Sequence, residues 1–296
     1  MTMEMMQNPV KRVAAIHDLS GFGRASLTVV IPILSTMGIQ VCPLPTAVLS
    51  THSKFKNYHF VDLTENLMPI IEHWASLGLN FDAIYSGFLG SSQQIEIVAT
   101  LIQRFRIEKT LVVVDPVMGD DGVLYGPMTP DIVDGMRQLI THADIITPNI
   151  TEASFLLNEP IPEQVSETMV KQWLRRLADM GPQVVIITSV PDRVKKDHTS
   201  VYAFNRSDGR FWRVTCTYLP AAYPGTGDAF ASVLTGSLLQ GDSLPMAIDR
   251  AVAFATLGVR ASFGYDNSAN EGILLERILP SLQTPVQPFS YELIEG

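Results

Sequence analysis

In Pro224-Gly225-Thr226-Gly227-Asp228-Ala229-Phe230, residue type and spacing point most directly to chemistry. Two glycines flank a threonine, just ahead of small and apolar residues at helical spacing. Glycine lets a backbone adopt unusual dihedrals and approach a ligand closely. A helix start offers unpaired N–H groups and the positive end of its dipole, a seat for phosphate. A carboxylate is also favoured in that first turn, where Asp228 stands. The functional reading puts a migrating phosphoryl group over the amides of residues 225–228. Asp228 then orients an attacking alcohol and takes its proton late. Such transfer is catalysed mostly by positioning and charge stabilisation, so an anion cradle with one placed carboxylate is adequate equipment. Read alone, the same residues also fit a glycine turn followed by an acidic helix cap. The company they keep favours the first reading.

Val112-Val113-Val114-Asp115-Pro116-Val117-Met118-Gly119-Asp120 places an acid at a strand end, followed by a proline and a glycine turn. Asp144-Ile145-Ile146-Thr147-Pro148-Asn149-Ile150-Thr151-Glu152 again runs from a strand into polar residues and a helix. Two further glycine turns are Ser20-Gly21-Phe22-Gly23-Arg24 and Ser86-Gly87-Phe88-Leu89-Gly90-Ser91. Polar residues gather after the strand-like runs: Asp18, Thr46, Asp115, Thr147, Asn149 and Thr188. No Gly-x-x-x-x-Gly-Lys-Ser/Thr stretch occurs, which excludes a Walker-type loop. The Gly21–Ser26 stretch lacks the third glycine of a dinucleotide fingerprint. The six histidines show no metalloprotease spacing, and neither Cys42 nor Cys216 has a nucleophile's setting.

The elements that must position these residues alternate along the chain. Strands are predicted at 12–18, 39–48, 82–86, 110–115, 144–147 and 183–189. Helices are predicted at 24–37, 64–77, 92–105, 129–141, 151–157, 163–180, 226–240 and 244–263. Residues 200–204 and 210–216 read as an antiparallel hairpin around Ser207-Asp208-Gly209. Pro43 and Pro45 require the second strand to bend or lie partly at an edge. Strand–helix alternation implies parallel strands with right-handed crossovers, hence a doubly wound sheet covered on both faces. Ligands of such sheets bind beyond the C-terminal strand ends, where the polar residues fall. One domain over residues 9–283 is expected, with a flexible start at 1–8 and a loosely docked tail at 284–296.

Together these segments resemble the ribokinase-like superfamily and, within it, the pyridoxal kinase branch. The resemblance runs from about Val13 to Leu279, nearly the whole chain, with the motifs in the family's order. Gly225-Thr226-Gly227-Asp228 is similar to the family signature. Asp-Pro-Val-Met-Gly, Thr-Pro-Asn-x-x-Glu and Ser-Gly-Phe-Leu-Gly-Ser are similar to the vitamin-kinase branch rather than to sugar kinases.

The resemblance implies a three-layer α/β/α sandwich with a mostly parallel sheet, and ATP as donor. It makes Asp228 the base, with Gly225 and Gly227 shaping the anion hole and Thr226 between them on the nucleotide. Asp115 and Glu152 would hold Mg2+, directly or through water, with Asn149 nearby; each acid also reads as a turn former or helix start. Oxygen ligands are what magnesium demands. Thr188 would lie near the nucleotide phosphates, or serve only as a strand end. Many relatives use a monovalent cation, often K+, and a homodimer is implied. On the substrate side, Thr46 matches the family's substrate-contacting threonine, and Phe88 stands where relatives often carry tyrosine. Asp18 falls where serine is common. It could accept from a ring hydroxyl, pair with a protonated pyridine nitrogen, or be a solvated turn residue. His52 either caps the substrate or is an exposed loop histidine.

The expected reaction is ATP-dependent phosphorylation of the 5′-hydroxymethyl group of pyridoxal, pyridoxine or pyridoxamine. Hydroxymethylpyrimidine phosphorylation, as in thiamine synthesis, is the enzymatic rival. A non-catalytic vitamin-binding protein would need a degraded anion hole or a missing base. The net charge of −9 in 296 residues argues against general nucleic-acid binding. No apolar run approaches the ~20 residues needed to span a bilayer. Two unspaced cysteines and no secretory layout at the start suit a cytoplasmic chain.

Overall fold

A computed structural model describes residues 9–126, 128–161, 163–192, 197–265, 268–284 and 290–296. The start expected to be flexible, residues 1–8, lies outside these. Apolar runs become strands buried on both faces. In β1 (Arg12–Ser20), Ala14 and Ile16 enter one core while Val13 and Ala15 enter the other. In β5 (Leu111–Val114), Val112 and Val114 are likewise separated from Val113. Such period-two division of a wholly apolar run belongs to a sheet covered on both sides.

The remaining strands are β2 (Gln40–Leu49), β3 (Phe60–Asp62), β4 (Ala83–Ser86), β6 (Gly119–Asp120), β7 (Val123–Leu124), β8 (Ile145–Ile146), β9 (Val184–Pro191), β10 (His198–Asn205), β11 (Arg210–Thr217) and β12 (Tyr291–Ile294). Of the twelve strands among the described residues, ten form one sheet in the order β12-β11-β10-β9-β8-β5-β4-β1-β2-β3. From β9 to β2 every neighbouring pair is parallel; β3, β10, β11 and β12 are antiparallel. The helices are α1 (Leu27–Thr36), α2 (Thr64–Ser76), α3 (Ser92–Phe105), α4 (Pro130–Leu139), α5 (Ile150–Leu157), α6 (Glu167–Asp179), α7 (Thr226–Gln240) and α8 (Leu244–Ser262). Helices α2 to α6 pack their apolar stripes on one face, and α1, α7 and α8 on the other. The result is the three-layer, mostly parallel sandwich implied by the resemblance.

Two details depart from the sequence reading, the start of α1 and the unread short strands, while the β2 prolines lie at the edge it required. Helix α1 starts at Leu27 rather than at 24, because residues 21–24 form a turn and Ser26 has φ 54. Strand β3 and the hairpin β6–β7 are too short to carry periodicity. The prolines of β2 fall where its outer side is unpaired, since β3 joins only from Ala47 onward. Beyond 283, where a loosely docked tail is expected, residues 291–294 are hydrogen-bonded to β11 as strand β12.

Candidate active site

Helix α7 opens at the carboxyl ends of the parallel strands. Gly225 is its N-cap with φ 78, and a side chain there would bring its Cβ to 2.3 Å from the Arg24 carbonyl oxygen. Conformation and space both demand glycine. Intrahelical bonding begins with the Ala229 N–H donating to the Gly225 carbonyl at 2.9 Å, so the amides of residues 226–228 precede it. The Thr226 hydroxyl donates to the Tyr223 carbonyl at 2.8 Å and fixes the turn; its contribution to a ligand is therefore its amide.

The Asp228 carboxylate accepts the Ser26 N–H on Oδ2 at 2.8 Å. Its Oδ1 lies 3.9 Å from Nδ1 of His17, and its side chain is 14% exposed. Burial pushes this carboxyl up to about 6, helped by the charge of Asp18 and opposed by the Ser26 N–H. His17 is fully buried, and burial lowers it to about 3. It is a neutral ring, so Asp228 is not locked in an ion pair there.

Asp115 follows β5 and reaches α7: a Cβ at Gly227 would lie 3.9 Å from its Oδ2. The Thr147 hydroxyl donates to its Oδ1 at 3.0 Å. Burial first, and then the charge of Asp228, raises Asp115 to about 7. A buried acid with a free oxygen facing a helix N-terminus is suited to a hard cation. Glu152 is differently occupied. Its Oε1 accepts the Met118 N–H at 3.1 Å and its Oε2 the Asn149 N–H at 2.8 Å. Asn149 returns the bond by accepting the Glu152 N–H at 2.9 Å, a complete capping box, and donates to the Gly119 carbonyl at 2.8 Å. Burial and Asp115 hold the Glu152 carboxyl well above its ordinary range, against those two N–H donors. With both oxygens already accepting, Glu152 fits a role through water better than direct ligation. Thr188 is bridged to Asn149 through the backbone, its N–H donating to the Pro148 carbonyl at 2.9 Å. Among the described residues, no cluster of three or more His, Cys, Asp or Glu forms a protein-only metal cage. Magnesium seldom needs one, because water and substrate phosphates complete its shell.

The expected substrate residues fall on the neighbouring strand ends. Thr46 is buried in β2 with its hydroxyl unpaired. The Gln94 amide donates to the Thr46 carbonyl at 3.1 Å and accepts the Gly90 N–H at 2.8 Å, which ties β2 to the turn carrying Phe88. Phe88 is half-buried. His52 is buried rather than exposed, and both its ring nitrogens are engaged. Nε2 pairs with the Asn270 carbonyl at 2.6 Å, and Nδ1 with the Lys54 N–H at 3.3 Å. Asp18 is buried too, at a shift in the β1–β2 register, and is not a solvated turn residue. The Ser20 hydroxyl donates to its Oδ2 at 3.1 Å, and the Ser26 hydroxyl to its Oδ1. Burial raises Asp18, with both serine bonds opposing.

Three polar residues of this neighbourhood escape the sequence reading: His17, Ser26 and Gln94. Ser26 carries a readable signal, a serine just before an apolar run, but starting the helix at 24 hides it. Nothing local marks the other two. A cavity of ≈ 680 Å³ between β7, α4 and α5 contains none of the expected site residues.

The phosphomethylpyrimidine kinase family matches this chain over residues 34–272. A Bacteroides thetaiotaomicron protein provisionally described as a phosphomethylpyrimidine kinase, crystallised in an orthorhombic form with pyridoxal, is 58% identical. The match covers 96% of this chain and 100% of that one, with a TM-score of 0.93. Pyridoxal kinase from Lactobacillus plantarum is 31% identical, covering 92% and 96% of the two chains, with a TM-score of 0.84. The pyridoxine/pyridoxal/pyridoxamine kinase of Bordetella avium is 28% identical over 80% of each chain.

Proposed function

The chain belongs to the phosphomethylpyrimidine kinase family, and on that premise we propose that it transfers the γ-phosphoryl group of ATP to the 5′-hydroxymethyl group of vitamin B6: pyridoxal, pyridoxine or pyridoxamine. One observation carries the mechanism. Asp228 stands beside the free amides of α7 with Oδ2 anchored and Oδ1 accepting no hydrogen bond among the described residues. The alcohol oxygen attacks the γ-phosphorus, the bond to the β–γ bridging oxygen breaks, and ADP leaves. The alcohol proton passes to Asp228. The amides of residues 226–228 hold the phosphoryl oxygens where charge builds. Magnesium, when bound, neutralises phosphate charge; Asp115 would hold it, with Glu152 reaching it through water. Asn149 and Thr188 line the nucleotide side. Thr46 offers its unpaired hydroxyl to the heterocycle, Phe88 an aromatic edge, and His52 a wall with no ring nitrogen to spare.

A kinase assay with ATP, the three B6 forms and hydroxymethylpyrimidine, with and without Mg2+ and K+, tests the reading. The 5′-phosphate of a B6 form is expected in magnesium; product from the pyrimidine alone would replace the substrate assignment. Asp228→Asn is expected to bind ATP normally and to lose about 10²–10⁴-fold in kcat. Near-normal turnover would remove Asp228 from its role. The intact cradle disfavours a purely binding protein. Homodimerisation and cytoplasmic residence complete the proposal, with light scattering as the test of the first. Among the described residues no helix is long and apolar enough to cross a membrane.

A further inference from the structure

We infer that Ser26 is a positioning residue which couples Asp18 to Asp228 and so aims the free oxygen of Asp228 at the substrate hydroxyl. This rests on the reading of Asp228 as the proton acceptor.

Ser26 occupies the N-cap of α1, where a serine ordinarily turns its hydroxyl back onto the first helical amides. Here it makes no such bond. Its polar groups go outward instead. The N–H donates to Asp228 Oδ2 at 2.8 Å on α7, and the hydroxyl donates to Asp18 Oδ1 on β1. Only its carbonyl serves the helix, accepting from the Val29 and Val30 amides at 2.9 Å. To do this the residue takes φ 54 and ψ −130, a conformation L-residues rarely adopt. Such geometry persists only where the surroundings over-determine it. They do so here through a backbone bridge between Leu19 and Ser26, and through Asp18 itself.

The same contacts redefine Asp18. Buried, with one serine hydroxyl on each oxygen, its carboxylate is committed on both sides to the protein. It anchors Ser26. A carboxylate free to rotate would divide its time between productive and idle orientations. With Oδ2 pinned, Oδ1 is the oxygen left for the alcohol, and small misplacements at a reacting centre can cost about 10²-fold.

Steady-state kinetics of Ser26→Gly, Ser26→Ala, Asp18→Ala, Asp18→Asn and the double variant Ser26→Gly/Asp18→Ala test the inference, with melting temperatures and Asp228→Asn alongside. Ser26→Gly accommodates the positive φ and keeps the N–H, so it is the variant that folds without strain. Ser26→Gly, Ser26→Ala and Asp18→Ala are expected to lose about ten-fold or more in kcat with KM for ATP unchanged. Asp18→Asn, whose amide oxygen can still accept the serine hydroxyl, should restore most of what Asp18→Ala loses. The double variant should be no slower than its slower parent, because the two residues act as one unit. Ser26→Gly turning over within about two-fold of wild type overturns the inference. So does a rise confined to the pyridoxal KM in Asp18→Ala, or losses that multiply in the double variant and track melting temperature. An active Asp228→Asn removes the premise instead. An inactive Asp228→Asn beside a normal Ser26→Gly refutes the coupling alone.

Discussion

Asp115 and Asp228 retain protons in the fold that they would release when unfolded. Ordinary aspartates titrate near 3.8, whereas burial carries these to about 7 and about 6. The native state therefore binds the extra protons above pH ~4, so their stabilising effect is complete below that value and is lost as pH rises through 6 and 7. Raising a carboxyl's titration by one pH unit corresponds to ~1.4 kcal/mol at most, and less where the two acids sense one another or solvent reaches them. Asp115→Asn removes the larger contribution. In ligand-free protein, its melting temperature relative to wild type is expected to climb between pH 5 and pH 8. His17, lowered to about 3, acts in the opposite sense below pH 6.5 but does so in both proteins. A gap independent of pH would mean that Asp115 ionises normally. Adding magnesium and nucleotide should narrow the gap, since a cation favours the ionised acid.

At the scale of elements, α5 does two jobs with one cap. Asn149 closes the box with Glu152 and also donates to Gly119 at the base of β6. Asn149→Ala loses both bonds and is expected to lower stability by about 1–2 kcal/mol in denaturant titrations. Asn149→Ser should recover the capping part only. Equal stabilities of wild type and Asn149→Ala would show that the cap is idle. Asn-Ile-Thr-Glu was legible as a strand-to-helix junction because cap chemistry is local. Strand β5 and helices α7 and α8 were legible for a similar reason: wholly apolar runs and long helical periods specify themselves. Two- and three-residue strands carry no period, so β3, β6 and β7 did not show; the equally short β8 did only through its place between a helix and the Thr-Pro-Asn junction. The junction of Ser26 with Asp228 spans 202 positions, and no spacing rule reaches that far. The motif acids could thus be picked out singly, while the bonds that orient them depend on how β1, α1 and α7 converge.

At the scale of the molecule, the ten-stranded sheet has two rims that are managed differently. On one rim β3 shields only the last residues of β2, and prolines blunt the rest. On the far rim β12 covers β11 from Phe211 to Val214. Arg213 reaches across to Glu292, Trp212 meets the Tyr291 ring at 5.8 Å between centroids, and Ile294 packs against the core beneath. An uncovered strand presents unpaired N–H and C=O groups to any other chain. Phe211, only 1% exposed, belongs to the strand that would lose this cover. Deleting residues 290–296 is therefore expected to lower the melting temperature and to produce species larger than wild type, in proportion to protein concentration. Turnover per folded molecule should persist, because β8, β9 and β10 separate β11 from β5, which carries Asp115 at its end. Melting curves and size-exclusion runs at several concentrations read both effects. A truncated chain as stable and as uniform in size as the full one would mean that the pairing at this rim contributes nothing, and that side chains of β11 alone keep neighbouring molecules away.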